Sequence, residues 1–465
     1  MKTAGCLLLG IDVGTTLTKA GVVDDAGREL CRAEGATPWR HTAAGTDLDA
    51  DELLTIVVDV AGRALAKAPP GDVAGVGITS IAETVILLDA RAEAIGHAPA
   101  WHDRRAREDW AAYRDALGDE RIGAITGLAT AQMPTLPMLR HRFLREPEAR
   151  RAMHALSVAE WVAFRLGGEI AAEASLATRT GALDVARRAW WPEALSWAGA
   201  RADLFPPVRA AGSALGRVPA SLGLTRATGA VVTVGGHDHL CAAVGIGAVA
   251  AHQAVDSCGT AEGLLRAVPR DPSRPLGAGR ALGIAIGCHA LEGYDALLGG
   301  TTLGLVFGPV LDFLGASSGS GVTPFDDAAL ALAPEIPARP AEEDDVQWAV
   351  AARAAGAAPV AIWYGTVARA TARARALLSG LEALGGPIEE VRLIGGWASN
   401  PVLRRLKAEC FPPLTIPAVA EAGIRGAALF AGMACGRFAS PADFPPVEVE
   451  PIAPEPLSES ILPVN

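Results

Sequence analysis

No stretch of this sequence reaches the ~18 consecutive apolar residues that a membrane-spanning helix takes. The seven cysteines, Cys6, Cys31, Cys241, Cys258, Cys288, Cys410 and Cys435, form no CxxC pair, and no cysteine or carboxylate cluster falls at metal-ligand spacing. They read as small buried hydrophobes in a reducing compartment. A surplus of positive charge is missing too. Lys and Arg number 41 against 52 Asp and Glu, a formal net charge of −11. That argues against nucleic acid or an anionic membrane as the main partner, while leaving room for a local basic pocket. The apolar run at the N-terminus is cut by Asp12, too early for a signal-peptide core, so a cytoplasmic protein is expected. The phosphate-loop pattern GxxxxGK[ST] does not occur.

What is present describes a folded protein. Half of the residues are hydrophobic and a fifth are charged. The 465 residues allow two or three domains, each with its own core. Strand-like apolar runs at Cys6–Ile11, Leu17–Val23, Val73–Thr79, Val85–Asp89, Ala230–Val234, Ala254–Asp256 and Val391–Ile394 alternate with helical periodicity. The helical stretches are Asp51–Lys67, Arg104–Leu117, Met138–Leu144, Val158–Arg165, Trp363–Leu381 and Pro401–Glu409. Interleaved strands and helices predict α/β layers. "LLGIDVGTT" (Leu8–Thr16) is echoed by "AVDSCGTAE" (Ala254–Glu262), which suggests that a second half repeats the first. The expected division is residues 1–248, 249–440 and a Pro-rich acidic tail, 441–465, extended or disordered. A Gly/Ser-rich loop at Gly315–Asp327 and an acidic loop at Pro334–Val346 interrupt the second half.

Three Gly-rich turns follow strands. In "GIDVGTTLTK", Gly14 lets phosphate oxygens approach the backbone, Thr15 and Thr16 offer hydroxyls, and Lys19 offers charge. Asp12 could hold Mg²⁺ through water. The bland alternative is a β-hairpin with a polar turn. Gly259-Thr260 and Gly395-Gly396 are the other turns, and the last precedes a helix, which suits a nucleotide. In "VGGHDHLCAAVGIGAV" a single carboxylate, Asp238, stands between His237 and His239. It reads as a helix N-cap, as part of a metal site with the two imidazoles, or as a general base.

Together these segments resemble the FGGY carbohydrate kinases, within the hexokinase, actin and heat-shock chaperone superfamily, from about Leu7 to Ser440. "GIDVGTTLTKAGVVD" resembles the first phosphate motif and "DSCGTAE" the second. "GGHDHLCAAVGIG" resembles the segment with the catalytic aspartate. "GGWASNPVLRRLKAECF…AEAGIRGAALFAG" resembles the C-terminal nucleotide segment. "ITSIAETVILLDARAEAIGHAPAWHDRR" resembles the sugar segment, with Trp101, Asp103 and Arg104 assigned to the family's Trp-x-Asp-x-Arg places.

The resemblance implies two ribonuclease-H-like domains with ATP and sugar in a cleft between them. It implies ATP-dependent phosphorylation of a sugar or polyol hydroxyl, a ketopentose such as xylulose being favoured. Asp238 would be the base, and Asp12 with Asp238 would hold Mg²⁺. Thr15, Thr16, Lys19, Gly259 and Thr260 would line the phosphates, and Gly300, Gly396 and Asn400 the nucleotide. Glu83, Trp101, Asp103 and His239 would meet the substrate, and a homodimer is the family-level expectation. Ala82 stands where glycerol kinases carry an arginine, which removes a bidentate donor. A switch-type or non-catalytic ATPase of the same superfamily is the alternative.

Overall fold

A computed structural model of the chain describes residues 6–130, 133–317, 321–332 and 344–452. Most of the expected acidic loop and the end of the tail lie outside the described residues. The elements run in chain order as β1 (Leu7–Val13), β2 (Leu17–Asp24), β3 (Glu29–Ala36), α1 (Ala50–Lys67), β4 (Val73–Ser80), α2 (Val158–Arg165), α3 (Ala174–Thr178), β5 (Gly216–Arg217), β6 (Val231–His237) and α4 (Asp238–Gly245). There follow β7 (Gln253–Cys258), β8 (Glu262–Pro269), α5 (Gly304–Phe313), α6 (Pro359–Gly385), β9 (Glu390–Ile394), α7 (Pro401–Cys410), β10 (Leu414–Pro417), α8 (Ala422–Ala434) and β11 (Val449–Pro451).

Contacts divide the chain into two compact units. The first is Met1–Val249 with Ala267–Ala296 and Val419–Val447; the second is Ala250–Arg266 with Leu297–Ala418 and Glu448–Asn465. The first change of unit thus falls one residue from the boundary expected after 248, but two later segments return to the first unit.

The first unit carries a six-stranded sheet in the order β5-β6-β4-β1-β2-β3. β1 runs parallel to β4, and β4 to β6, while β1–β2 and β2–β3 are antiparallel. α1 starts because Asp49 caps it, accepting from the amides of Asp51 and Glu52. It buries Leu53, Val57, Val60, Ala61 and Ala64, the i, i+4, i+7 stripe of an amphipathic helix, against β2 and β3.

α8 packs on the sheet closely enough to require glycine. A Cβ on Gly10 would lie 2.0 Å from the carbonyl oxygen of Ile424, and one on Gly77 would lie 1.9 Å from that of Ala427. A Cβ on Gly75 would lie 2.7 Å from that of Ala431. Ile424, Ala427 and Ala431 are one helix face, and β1 and β4 offer it bare backbone. This explains why "AEAGIRGAALFAG", expected among the nucleotide-binding residues of the second half, belongs to the first unit.

In the second unit β7 pairs antiparallel with β8 and parallel with β9, β9 is parallel to β10, and β11 closes antiparallel on β10. β7–β8 repeats the β1–β2 hairpin, each with a parallel neighbour at its first strand, so the sequence echo is an echo of structure. β11 comes from the expected tail. All seven cysteines are free thiols. Among the described residues no helix is long and apolar enough to cross a membrane.

Candidate active site

In the first unit three parallel strands end side by side, and each end delivers a carboxylate. β1 ends on Asp12-Val13, β4 leads to Glu83, and β6 leads into α4 at Asp238. Loops at the carboxyl ends of parallel strands are free of the ladder and so can carry ligand contacts. The register of β6 shifts between Val234 and Gly236, which sets His237 opposite Ser80.

The Gly pair before Asp238 serves packing rather than open access for substrate. Gly236 has φ +95°, and a Cβ on it would stand 2.6 Å from Ser175 Oγ; one on Gly235 would stand 3.1 Å from Cys241 Sγ. The N-cap of α4 is His237, so Asp238 is the first helical residue and not the cap itself. Its Oδ1 accepts from the amide of His239 at 2.7 Å and lies 3.2 Å from His237 Nε2. No donor among the described residues is bonded to Oδ2. Burial pushes the Asp238 carboxyl above its usual range, opposed by His239 and Arg179. His237 is 5% exposed, its Nδ1 has no partner, and burial keeps the ring neutral. The two imidazoles meet edge to face at 5.5 Å.

Asp12 Oδ1 is buried without a hydrogen-bond partner. A Cβ on Gly423 would come 2.2 Å from its Oδ2, so only glycine fits at the start of α8. Burial, Asp238 and Glu421 push Asp12 up to about 7, against the pull of Lys19. Lys19 itself is paired with Glu421 at 2.8 Å, so its charge is already shared. Because the folded pKa lies above the unfolded 3.8, the native state binds the extra proton, and stability falls as pH rises from about 4 through 7. Asp12→Asn should therefore raise the free energy of urea unfolding of the metal-free protein at pH 8, by something on the order of 2 kcal/mol, and hardly at pH 4.5. An equal gain at both pH values, or a loss at pH 8, would show that Asp12 carries no such burden.

The β1–β2 turn closes through Gly14 N to Leu17 O at 3.0 Å. The carbonyls of Gly14, Thr15 and Thr16 accept from Thr37 Oγ1, Trp39 Nε1 and Thr37 N respectively. No acceptor among the described residues takes the amides of Thr15 and Thr16. Trp101, 36% exposed, donates its indole N–H to Thr15 Oγ1 at 3.0 Å and so ties the sugar segment to this turn.

Glu83 holds a left-handed φ of 63°, rare for a side chain with a Cβ. Its Oε1 accepts from Arg179 Nε at 2.8 Å, and its carbonyl from Thr135 Oγ1. Arg179 follows α3. It brings back, from 96 positions along the chain, a guanidinium of the kind missing at Ala82. Burial raises the Glu83 carboxyl despite Arg179, and Asp238 and His239 act on it as well.

The second unit gathers the other two turns. Gly259 and Thr260 link β7 to β8, and their carbonyls accept from Gly304 N and Leu305 N at the start of α5. Gly395, with φ +93°, packs on the carbonyl of Cys258, 2.5 Å from where its Cβ would lie. A Cβ on Gly304 would meet Gly259 O at 2.8 Å and Trp397 Nε1 at 3.0 Å. Around Gly396, by contrast, a Cβ would meet nothing within 4 Å, and Gly300 is exposed. Phe307, Trp363 and Trp397 form an aromatic cluster with Phe307 at 5.0 Å from each indole.

The profile "FGGY family of carbohydrate kinases, N-terminal domain" matches residues 7–245, and that family's C-terminal domain matches residues 353–435. The chain belongs to the FGGY family of carbohydrate kinases. The autoinducer-2 kinase of Klebsiella pneumoniae subsp. pneumoniae is 32% identical over 267 residues, covering 54% of this chain and 49% of that protein. That of Escherichia coli O139:H28 is 30% identical over 262 residues, covering 52% and 47%. The chain spans about half the length of the curated relatives it matches. Xylulose kinase from Rhodospirillum rubrum superposes with a TM-score of 0.80 at 20% identity, over 97% of this chain and 94% of that one. Gluconate kinase from Lactobacillus acidophilus gives 0.78 at 18%, over 96% and 93%. At these identities the likeness is one of fold, the α/β architecture of FGGY kinases.

Against that family, two residues expected at ligands are committed elsewhere. Both oxygens of Asp103 are taken, Oδ1 by the amide and Nε of Arg105, and Oδ2 by Thr46 N and Arg105 Nη2. Burial raises this carboxyl, but the Arg105 bonds outweigh it and hold it low. Arg105, not Arg104, is thus the arginine of the Trp-x-Asp-x-Arg pattern. Asn400 caps α7, accepting from Leu403 N at 2.9 Å, while its Nδ2 donates to Gly321 O and Asp326 Oδ2 at 3.0 Å. Arg179, Glu421 and Gly423 went unnoticed in the sequence. Each acts through a partner far along the chain, which no local spacing reveals.

Proposed function

We propose that this FGGY-family protein transfers the γ-phosphoryl group of ATP to a hydroxyl of a small sugar or polyol, with ketopentoses such as xylulose as the favoured class. The observation that carries the reading is Asp238: one oxygen is held by the amide of His239 with His237 beside it, and the other is free of donors, as a base that takes a hydroxyl proton needs. Burial raises its proton affinity in the same direction.

The first unit handles the acceptor. Glu83, braced by Arg179, accepts a hydrogen bond from a second hydroxyl, with His239 and Trp101 beside it. Asp103 holds the Trp101 loop in place rather than touching sugar. The open amides of Thr15 and Thr16, with the two hydroxyls as further donors and Gly14 beside them, receive phosphate oxygens, and Lys19 cancels Glu421 nearby. Asp12 and Asp238 fit a divalent cation, since Asp12 has an unpartnered buried oxygen and the charge of Asp238 raises its cost of ionising. Bound Mg²⁺ would neutralise charge on the transferring phosphate. In the second unit Gly259, Thr260, Gly300 and Gly396 line ATP, and Asn400 positions the Gly395-Gly396 turn instead of touching nucleotide.

The test is ADP release from Mg-ATP over a panel holding autoinducer-2, xylulose and other ketoses, gluconate and glycerol. One of these is expected to drive turnover well above the ATPase background. ATP binding with no acceptor-dependent turnover across a broad panel would favour the switch-type reading.

A further inference from the structure

Directly behind the Gly259-Thr260 turn lies a buried ionic cluster that no step above uses. Asp256 and Cys258 share a face of β7, and Glu262 opens β8 across the turn. Lys407 enters from α7. Its Nζ donates to Asp256 Oδ2, to Glu262 Oε1 at 2.5 Å and lies 3.4 Å from Cys258 Sγ. The side chains of Lys407, Asp256 and Glu262 are all 0% exposed. Lys407 thus touches both carboxylates. The other buried cation of this region, Arg266, donates to the carbonyls of Ala251, Leu381 and Gly386. Three acidic or thiol groups within 4.8 Å of one another would suit a metal ion, but the ammonium already stands among them.

The position matters more than the pairing. Lys407 binds the strand before the turn and the strand after it, so it clamps residues 257–262 from behind. It also offsets the charge of two carboxylates that would otherwise face a polyphosphate uncompensated from within a poorly screened interior. A nucleotide with three or four negative charges is repelled by uncancelled acid at this depth.

We propose that Lys407 is the internal counter-ion of the nucleotide half-site, a positioning residue that lets the Gly259-Thr260 turn accept phosphate by offsetting the charge of Asp256 and Glu262. This rests on the reading that the turn binds nucleotide. The experiment measures the Kd of a fluorescent methylanthraniloyl-ADP with Mg²⁺, which needs no sugar. It compares the wild type, Lys407→Met, the neutral triple variant Lys407→Met with Asp256→Asn and Glu262→Gln, and Gly259→Val as a control on the turn. Lys407→Met is expected to weaken binding at least 10-fold, and the triple variant to return to within about 3-fold of the wild type, because the charge is gone with its counter-ion. Wild-type affinity in a folded Lys407→Met overturns the proposal. So does a triple variant as weak as the single one, or one that fails to fold, since the cluster would then serve the fold alone. If Lys407→Met itself does not fold, the triple variant decides by the same criterion. Unchanged affinity in Gly259→Val, or no binding by the wild type, would instead overturn the nucleotide assignment of the turn.

Discussion

Asp238→Asn should lower kcat by roughly 10³-fold while leaving the KM for the sugar and for ATP within a few-fold, as expected when a general base is lost and binding is kept. The amide has the size of the carboxylate, and its oxygen can still accept from the amide of His239 at the start of α4. What it lacks is a lone pair basic enough to take the hydroxyl proton. The variant should fold at least as well as the wild type, because the change removes a buried charge that raises Asp12. Thermal melting checks this, and steady-state ADP release on the best sugar checks the rate. A loss below 10-fold would remove Asp238 from the role of base. A large rise in sugar KM with kcat intact would make it a binding residue instead.

Gly77→Ala should be among the most damaging single methyls in the first unit. The new Cβ would sit 1.9 Å from the carbonyl oxygen of Ala427 and 2.7 Å from its carbon. Both belong to the backbone of α8, which cannot turn aside as a side chain can. Overpacking commonly costs about 1–3 kcal/mol, and a rigid contact this short should exceed that, lowering the melting temperature by roughly 10 °C or more. Gly10→Ala, 2.0 Å from Ile424 O, should behave alike, and the pair should couple because both push the same helix. Since Gly423, in the first turn of α8, packs against Asp12, a displaced helix also disturbs the site, so surviving protein should lose activity. Gly308→Ala in α5 is the control. Its Cβ meets nothing within 4 Å, and it should be neutral or stabilising by up to about 1 kcal/mol. Equal melting temperatures for Gly77→Ala and Gly308→Ala would contradict the packing described here.

Much of the local structure could be read from residue order. The apolar runs at Leu17–Val23, Val73–Thr79 and Val391–Ile394 are strands to within a residue or so, and Val158–Arg165 is a helix with those bounds. Alternation and period are local properties, and they do not need the rest of the chain. The same holds for the Gly-rich turns, whose backbone demands are written in the residues themselves. The repeat of "GIDVGTT" in "VDSCGTA" marked two hairpins that do prove alike in their strand pairing.

Side-chain partnerships were not legible in the same way. Asp103 looked like a ligand because its motif is one of sugar-binding segments, and only the fold shows both its oxygens engaged by Arg105 and Thr46. Asn400 looked like a nucleotide contact, yet its amide is divided among a helix cap, Gly321 and Asp326. Hydrogen-bonding groups are used up by whichever neighbour arrives, and the neighbours come from distant positions.

By itself, then, the sequence determined the α/β class, the family and the three turns, because each rests on a short run with its own physical signature. The tertiary structure alone decided that α8 returns to the first unit, that Arg179 stands at Glu83, that Lys19 is shared with Glu421 and that Lys407 lies buried among Asp256, Cys258 and Glu262. Those pairings span tens to hundreds of residues. Close packing against bare glycine backbone and the cost of burying an unpaired charge select them, and both act only once the chain has folded.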